Sequence, residues 1–267
     1  MKTINFAGSK LSYRTLGSQG YVLVLVHGFC EDSRVWRLQE EELSKTCRII
    51  LLDLPGFGQS EMIGGEYSLE RLAESVKYIL DEESIGKCTL VGHSMGGYVA
   101  LAFAEKYPER LNGFGLFHST ALADPEEKKV NRIKSAEFIR QNGSEAFVRT
   151  LTPSLFAPTF TDQNTIDELM QMGNACLPET LAAATEAMMN RPDRTHILKE
   201  TKVPVLFAVG VLDVNVPQET LLPQCSYPET SMVELFENTA HMGMREQPNK
   251  ALNLLSEFVK LFDKTQA

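Results

Sequence analysis

Ser94 stands in Gly92-His93-Ser94-Met95-Gly96, a G-x-S-x-G pentapeptide. A serine hydroxyl is a poor nucleophile until a base removes its proton, and the base needs an acid to orient it. Candidates for both follow downstream. Asp213 closes Gly210-Val211-Leu212-Asp213, and His241 stands within Asn238-Thr239-Ala240-His241-Met242. The order Ser…Asp…His is the one expected when the nucleophile sits on a sharp strand-to-helix elbow. Acyl transfer also needs donors for the oxyanion. The backbone N–H of Met95, at the helix start, is one. The backbone N–H of Phe29, in His27-Gly28-Phe29-Cys30, is the expected second, with Gly28 letting that backbone come close.

These residues act together only if strands and helices deliver them to one edge. Cys88-Thr89-Leu90-Val91 reads as a strand, and Gly97 to Tyr107 reads as a helix that Pro108 stops. The serine between them needs a strained backbone, with φ above zero. Side chains two positions to either side would meet the neighbouring strand and helix, which accounts for Gly92 and Gly96. Thr3–Ala7 and Leu11–Leu16 read as a hairpin, and Gly17-Ser18-Gln19-Gly20 as a turn. Tyr21–Val26, Arg48–Leu52 and Leu111–Phe117 are apolar runs of the kind buried on both faces of a parallel sheet. Helices are expected over about 33–43 and from a Ser68 cap to Leu80, with apolar residues at 69, 72, 73, 76, 79 and 80. Strands alternating with helices at this rhythm predict a mainly parallel, doubly wound sheet. The rhythm breaks over 119–200, where helical stretches near 125–141, 144–151, 162–173 and 178–190 suggest an insert over one end of the sheet. Val203–Val209 and Ser231–Phe236 restore the strands, and Pro248–Phe262 reads as a closing helix. Asp213 and His241 each follow a strand, so both should emerge at the edge that carries Ser94.

Composition excludes several function classes. The 267 residues are 43% apolar and 23% charged, with a net charge of −9 spread along the chain. That balance disfavours nucleic acid or an anionic membrane as the main partner. The apolar runs are far too short to span a bilayer, and Met1-Lys2-Thr3-Ile4-Asn5 opens no signal peptide. Five widely spaced cysteines without a C-x-x-C pair suit reduced thiols in a cytoplasmic protein. No metal-ligand spacing or dinucleotide loop occurs, so neither metal nor cofactor is expected. Cys30, beside the oxyanion loop, is expected as a pocket-wall or buried thiol, and His118, after a strand, as a pocket or packing residue; both are candidate substrate contacts. His27 and His93 are expected to pack beside their turns. Met170, Met172, Met188 and Met189 could line an adaptable apolar pocket in the insert.

On His27-Gly28-Phe29, Asp53-Leu54-Pro55-Gly56-Phe57-Gly58-Gln59-Ser60, Gly92-His93-Ser94-Met95-Gly96-Gly97, and Gly210-x-x-Asp213 with His241, the chain resembles the α/β-hydrolases of the capped, esterase-like branch. It departs slightly at Ala240, where a glycine often precedes the histidine. The resemblance implies eight mostly parallel strands, with helices on both faces and the insert as a lid. The expected division is a core of 1–118 and 201–267 and a helical cap of 119–200. The activity implied is cofactor-independent hydrolysis of a small, largely apolar carboxylic ester or lactone through an acyl-enzyme on Ser94. The same fold also allows a C–C hydrolase, a pyruvate-eliminating lyase, a cofactor-free perhydrolase, or a non-enzymatic or weakly hydrolytic small-molecule receptor or signalling protein. A haloalkane dehalogenase would carry aspartate where Ser94 stands. Specificity is expected to lie in the insert.

Overall fold

A computed structural model describes residues 1–18 and 20–262; Gln19 of the expected Gly17–Gly20 turn lies outside them. Eight strands form one sheet: β1 Lys2–Phe6, β2 Ser9–Leu16, β3 Val22–Val26, β4 Arg48–Leu52, β5 Cys88–His93, β6 Leu111–Phe117, β7 Val205–Gly210 and β8 Ser231–Phe236. Their spatial order is β1-β2-β4-β3-β5-β6-β7-β8. The β1–β2 and β2–β4 pairs are antiparallel, and every other neighbouring pair is parallel. Ten α-helices accompany the strands among the described residues. They are α1 Arg37–Leu43, α2 Leu69–Glu82, α3 Met95–Lys106, α4 Glu126–Ser154, α5 Gln163–Asn174, α6 Pro178–Met189, α7 Thr195–Glu200, α8 Gln218–Leu221, α9 Gly243–Glu246 and α10 Pro248–Lys260.

Alternate strand residues divide between two buried clusters, as a side-chain period of two demands. Val24, Val26, Ile50, Leu52, Leu90 and Phe114 pack with α2 and α3 on one face. Leu23, Leu25, Ile49, Leu51, Val91 and Leu206 pack with α10 on the other. The central strands are apolar throughout because both of their faces are covered. Ser68 caps α2 by accepting the Arg71 N–H, and Leu69, Leu72, Ala73, Val76, Ile79 and Leu80 form its buried stripe.

Between β6 and β7 the chain runs through α4 to α7 with no strand. The helical stretches expected near 125–141 and 144–151 are the two halves of α4, which breaks at Gly143 (φ 82°, ψ 171°). Helix α7 lies in a stretch where no helix was expected, and so do α8 and α9. At four to six residues they are too short to show helical periodicity. β7 begins at Val205, two residues later than expected.

Candidate active site

The elbow is built as its sequence requires. β5 ends at His93, Ser94 takes φ 50° and ψ −112°, and α3 begins at Met95. A Cβ on Gly92 would overlap the Gly96 carbonyl, and one on Gly96 would lie 2.6 Å from the Val26 and His27 oxygens of the adjoining strand. No other residue fits either position. The Ser94 hydroxyl is thereby lifted off the sheet at the positive end of α3.

Three parallel strands bring the partners to the same edge. Asp213 lies beyond the end of β7 and His241 beyond the end of β8. His241 Nε2 is 2.8 Å from Ser94 Oγ, and His241 Nδ1 is 2.7 Å from Asp213 Oδ2. Facing a carboxylate, Nδ1 must donate, which leaves Nε2 free to accept the serine proton. Asp213 Oδ1 also accepts the N–H groups of Asn215 and Val216. Burial would raise the Asp213 pKa, but the charge and hydrogen bond of His241 prevail and hold it at about 2. The carboxylate is therefore fixed as an anion. The Phe29 N–H has no acceptor among the described residues, and Met95, first in its helix, has no intrahelical acceptor.

A second layer, which motif reading missed, holds this chain in place. Glu31 is buried; its Oε2 accepts the Gly28 N–H at 2.8 Å and meets His93 Nδ1 at 3.0 Å. His93 Nε2 is 2.8 Å from the His241 carbonyl oxygen, which can only accept. Both ring nitrogens of His93 therefore donate, and the pair is a buried imidazolium–carboxylate. Burial opposes both charges, yet each partner stabilises the other: Glu31 is held below its ordinary pKa and His93 above its own. A Cβ on Gly28 would come within 2.7 Å of His93 Nδ1, so the close approach of the loop after β3 depends on glycine there. Glu246 braces the other side. Its carboxylate accepts the N–H groups of Ala240, Met242 and Ala157, tying the His241 loop to the end of α4. A glutamate four residues after His27 or five after His241 carries no motif, so only the fold reveals these roles.

A cavity of about 280 Å³ opens over Ser94 and His241. Its walls come from the loop after β3 (Phe29, Glu31), from α3 (Tyr98), from the loop after Asp213 (Asn215, Val216), and from α4 and α6. Neither Cys30 nor His118 lines it, so as substrate contacts both are set aside, and each takes its buried alternative. The Cys30 thiol is turned into the core against Gly173 and Cys176, where burial pushes its pKa well up. His118 lies behind the site, its ring centroid 6.1 Å from that of His241, with Nε2 accepting the Gly243 N–H. Burial drives its pKa well down. His27 packs beside its turn as expected, Nδ1 donating to the Gly28 carbonyl and Nε2 accepting the Leu54 N–H. Of the four insert methionines, Met188 lines the cavity. Among the described residues, no group of three or more His, Cys, Asp or Glu could hold a metal ion, and no helix is long and apolar enough to cross a membrane.

An eight-stranded sheet, a serine elbow and histidine and aspartate loops at one edge define a class, and the sequence agrees. Residues 21–164 match the family model of the α/β hydrolase fold, and the chain belongs to that family. Among its relatives is a pimeloyl-[acyl-carrier protein] methyl ester esterase of Aeromonas hydrophila subsp. hydrophila. It is 32% identical over 90% of this chain and 96% of its own length. A thermophilic esterase from Thermogutta terrifontis, solved with malate bound, superposes with a TM-score of 0.91 at 33% identity, covering 97% of this chain and 96% of that one. The enol-lactonase of Burkholderia xenovorans LB400 shares the fold (TM-score 0.90, 22% identity, 97% of this chain and all of that one).

Proposed function

We propose that this chain is a serine hydrolase that cleaves carboxylic esters or lactones through an acyl-enzyme on Ser94. One observation carries the reading: the continuous hydrogen-bonded path Ser94 Oγ–His241 Nε2 and His241 Nδ1–Asp213 Oδ2. Ser94 Oγ attacks the ester carbonyl as His241 Nε2 takes its proton. The developing oxyanion is met by the N–H groups of Phe29 and Met95, and Asp213 stabilises the imidazolium that forms. His241 then returns the proton to the leaving alcohol. Water, deprotonated by the same nitrogen, releases the acid. None of these steps calls on a metal or cofactor.

The helical insert of 119–200 acts in this scheme as the lid and specificity element over a core of 1–118 and 201–267. α4 and α6 supply its share of the cavity wall. The esterase names of the relatives support ester chemistry, and the five unpaired cysteines suit a reducing compartment such as the cytoplasm. The test is p-nitrophenyl butyrate hydrolysis by S94A. Turnover should fall by about 10⁴- to 10⁶-fold, with fluorophosphonate labelling abolished. A rate within tenfold of the parent enzyme would overturn the mechanism.

A further inference from the structure

The cavity wall is of two kinds, and α4 supplies both. Before the break at Gly143, Lys128, Arg132 and Ser135 recur at helical spacing and line the cavity. Beyond it, Phe147 and Leu151 do so, followed by Leu155 just past the helix end. An ester that is apolar throughout would match only the second group.

The polar wall carries an unbalanced positive charge. The Asp124 carboxylate is shared by three cations: Arg191 at 2.7 Å, Arg132 at 2.5 Å and Lys128 at 3.9 Å. Only one of those charges is neutralised. Glu31, the acid in the cavity wall, is already committed to His93 and the Gly28 N–H. Arg132 is 17% exposed and engages Asp124 through Nε alone. Its two Nη nitrogens have no partner among the described residues. A guanidinium held by Nε with its remaining donors in a ligand cavity is a receptor for a planar anion. The charge stands out in a chain whose net charge is −9.

We propose that the substrate ester carries a carboxylate, bound by the Nη donors of Arg132 with Lys128 beside it, while its hydrocarbon part lies against Phe147, Leu151 and Leu155. This rests on the ester-hydrolase reading and narrows it to esters with a monoanionic group, in place of the largely apolar substrate expected from the sequence. The carboxylate can belong to the acyl or the alcohol part, so two matched pairs are needed. p-Nitrophenyl hemiglutarate is compared with p-nitrophenyl pentanoate, and 4-(butyryloxy)benzoate with phenyl butyrate, by kcat/KM at low salt. In at least one pair the charged ester should be preferred about tenfold or more, and added NaCl should erode that preference. R132Q should reduce the charged-to-neutral ratio about 10- to 100-fold, as expected when a charged hydrogen-bonding group is removed, and K128Q should reduce it less. Preference for the neutral ester in both pairs, or a ratio that neither variant moves, would overturn the proposal. Should R132Q not fold, K128Q and the salt dependence decide. Calorimetry of the hemiglutarate ester on S94A separates this idea from the reaction itself. Binding weakened by K128Q and R132Q upholds the anion site even where no ester is turned over, and no detectable binding sinks it.

Discussion

Glu31 and His93 show how much of a reactive centre lies outside its motif. The pair links the loop after β3, through the Gly28 N–H, to the His241 backbone, through the His93 Nε2 donor. The sign of its pH dependence follows from the two shifts. Glu31 is lowered, so its contribution is present above the ordinary glutamate value of about 4.3 and lost as pH falls through the lowered one. His93 is raised, so its contribution is complete below about 6.5 and lost as pH rises through the raised value. The pair therefore stabilises the fold most at about pH 5–6. E31Q leaves a buried imidazole without its counter-charge and should cost about 3–5 kcal/mol in that window. Urea unfolding of both proteins from pH 4.5 to 10 should show the gap closing as pH rises. A gap that does not change with pH would mean the pair is not ionic. Ser94, Asp213 and His241 were legible because each follows a strand run and obeys a chain order. Glu31 and Glu246 were not, because their partners are backbone groups brought near only by folding.

Elements were legible wherever periodicity had room to repeat. The apolar runs of β3 to β7 and the buried stripe of α2 stand plainly in the sequence, whereas helices of four to six residues do not. α4 lies between these cases: its two halves could be read, but the faces they turn to the cavity could not. Gly143 sets that relation. With φ 82° and ψ 171° it occupies a region essentially confined to glycine, and a Cβ there would meet nothing within 4 Å. G143A is thus a test of backbone strain alone. It should destabilise the protein by about 1–3 kcal/mol and raise KM for p-nitrophenyl butyrate as the polar and apolar walls lose register. Thermal unfolding with Michaelis–Menten kinetics checks both. An unchanged melting temperature would show that the break is not held by the backbone conformation.

At the scale of the molecule, two buried arginines join the two ends of the helical stretch between β6 and β7. The Arg191 guanidinium donates to the Leu122 and Met188 carbonyls and to Asp124, and lies 4.0 Å from the Tyr98 ring centroid. Arg194 donates through its backbone N–H to the Ala121 carbonyl and through its side chain to Glu105 on α3 and Glu70 on α2. Entry and exit are thus stitched to each other and to one face of the sheet. On the proposed lid reading, the helices between them should loosen together without disturbing the strands that carry Ser94. R191M keeps the apolar stem but strands two carbonyls, and it removes one of the cations on Asp124; the loss should be about 3–5 kcal/mol. Hydrogen exchange should report the loss regionally, faster over 119–200 and unchanged in β3, β5 and β6. Fluorophosphonate labelling of Ser94 should persist, because the elbow is held by Gly92, Gly96 and β3 rather than by the insert. If protection fell equally in the central strands, insert and core would be one cooperative unit, and its arginines would serve global stability rather than hold a separable lid.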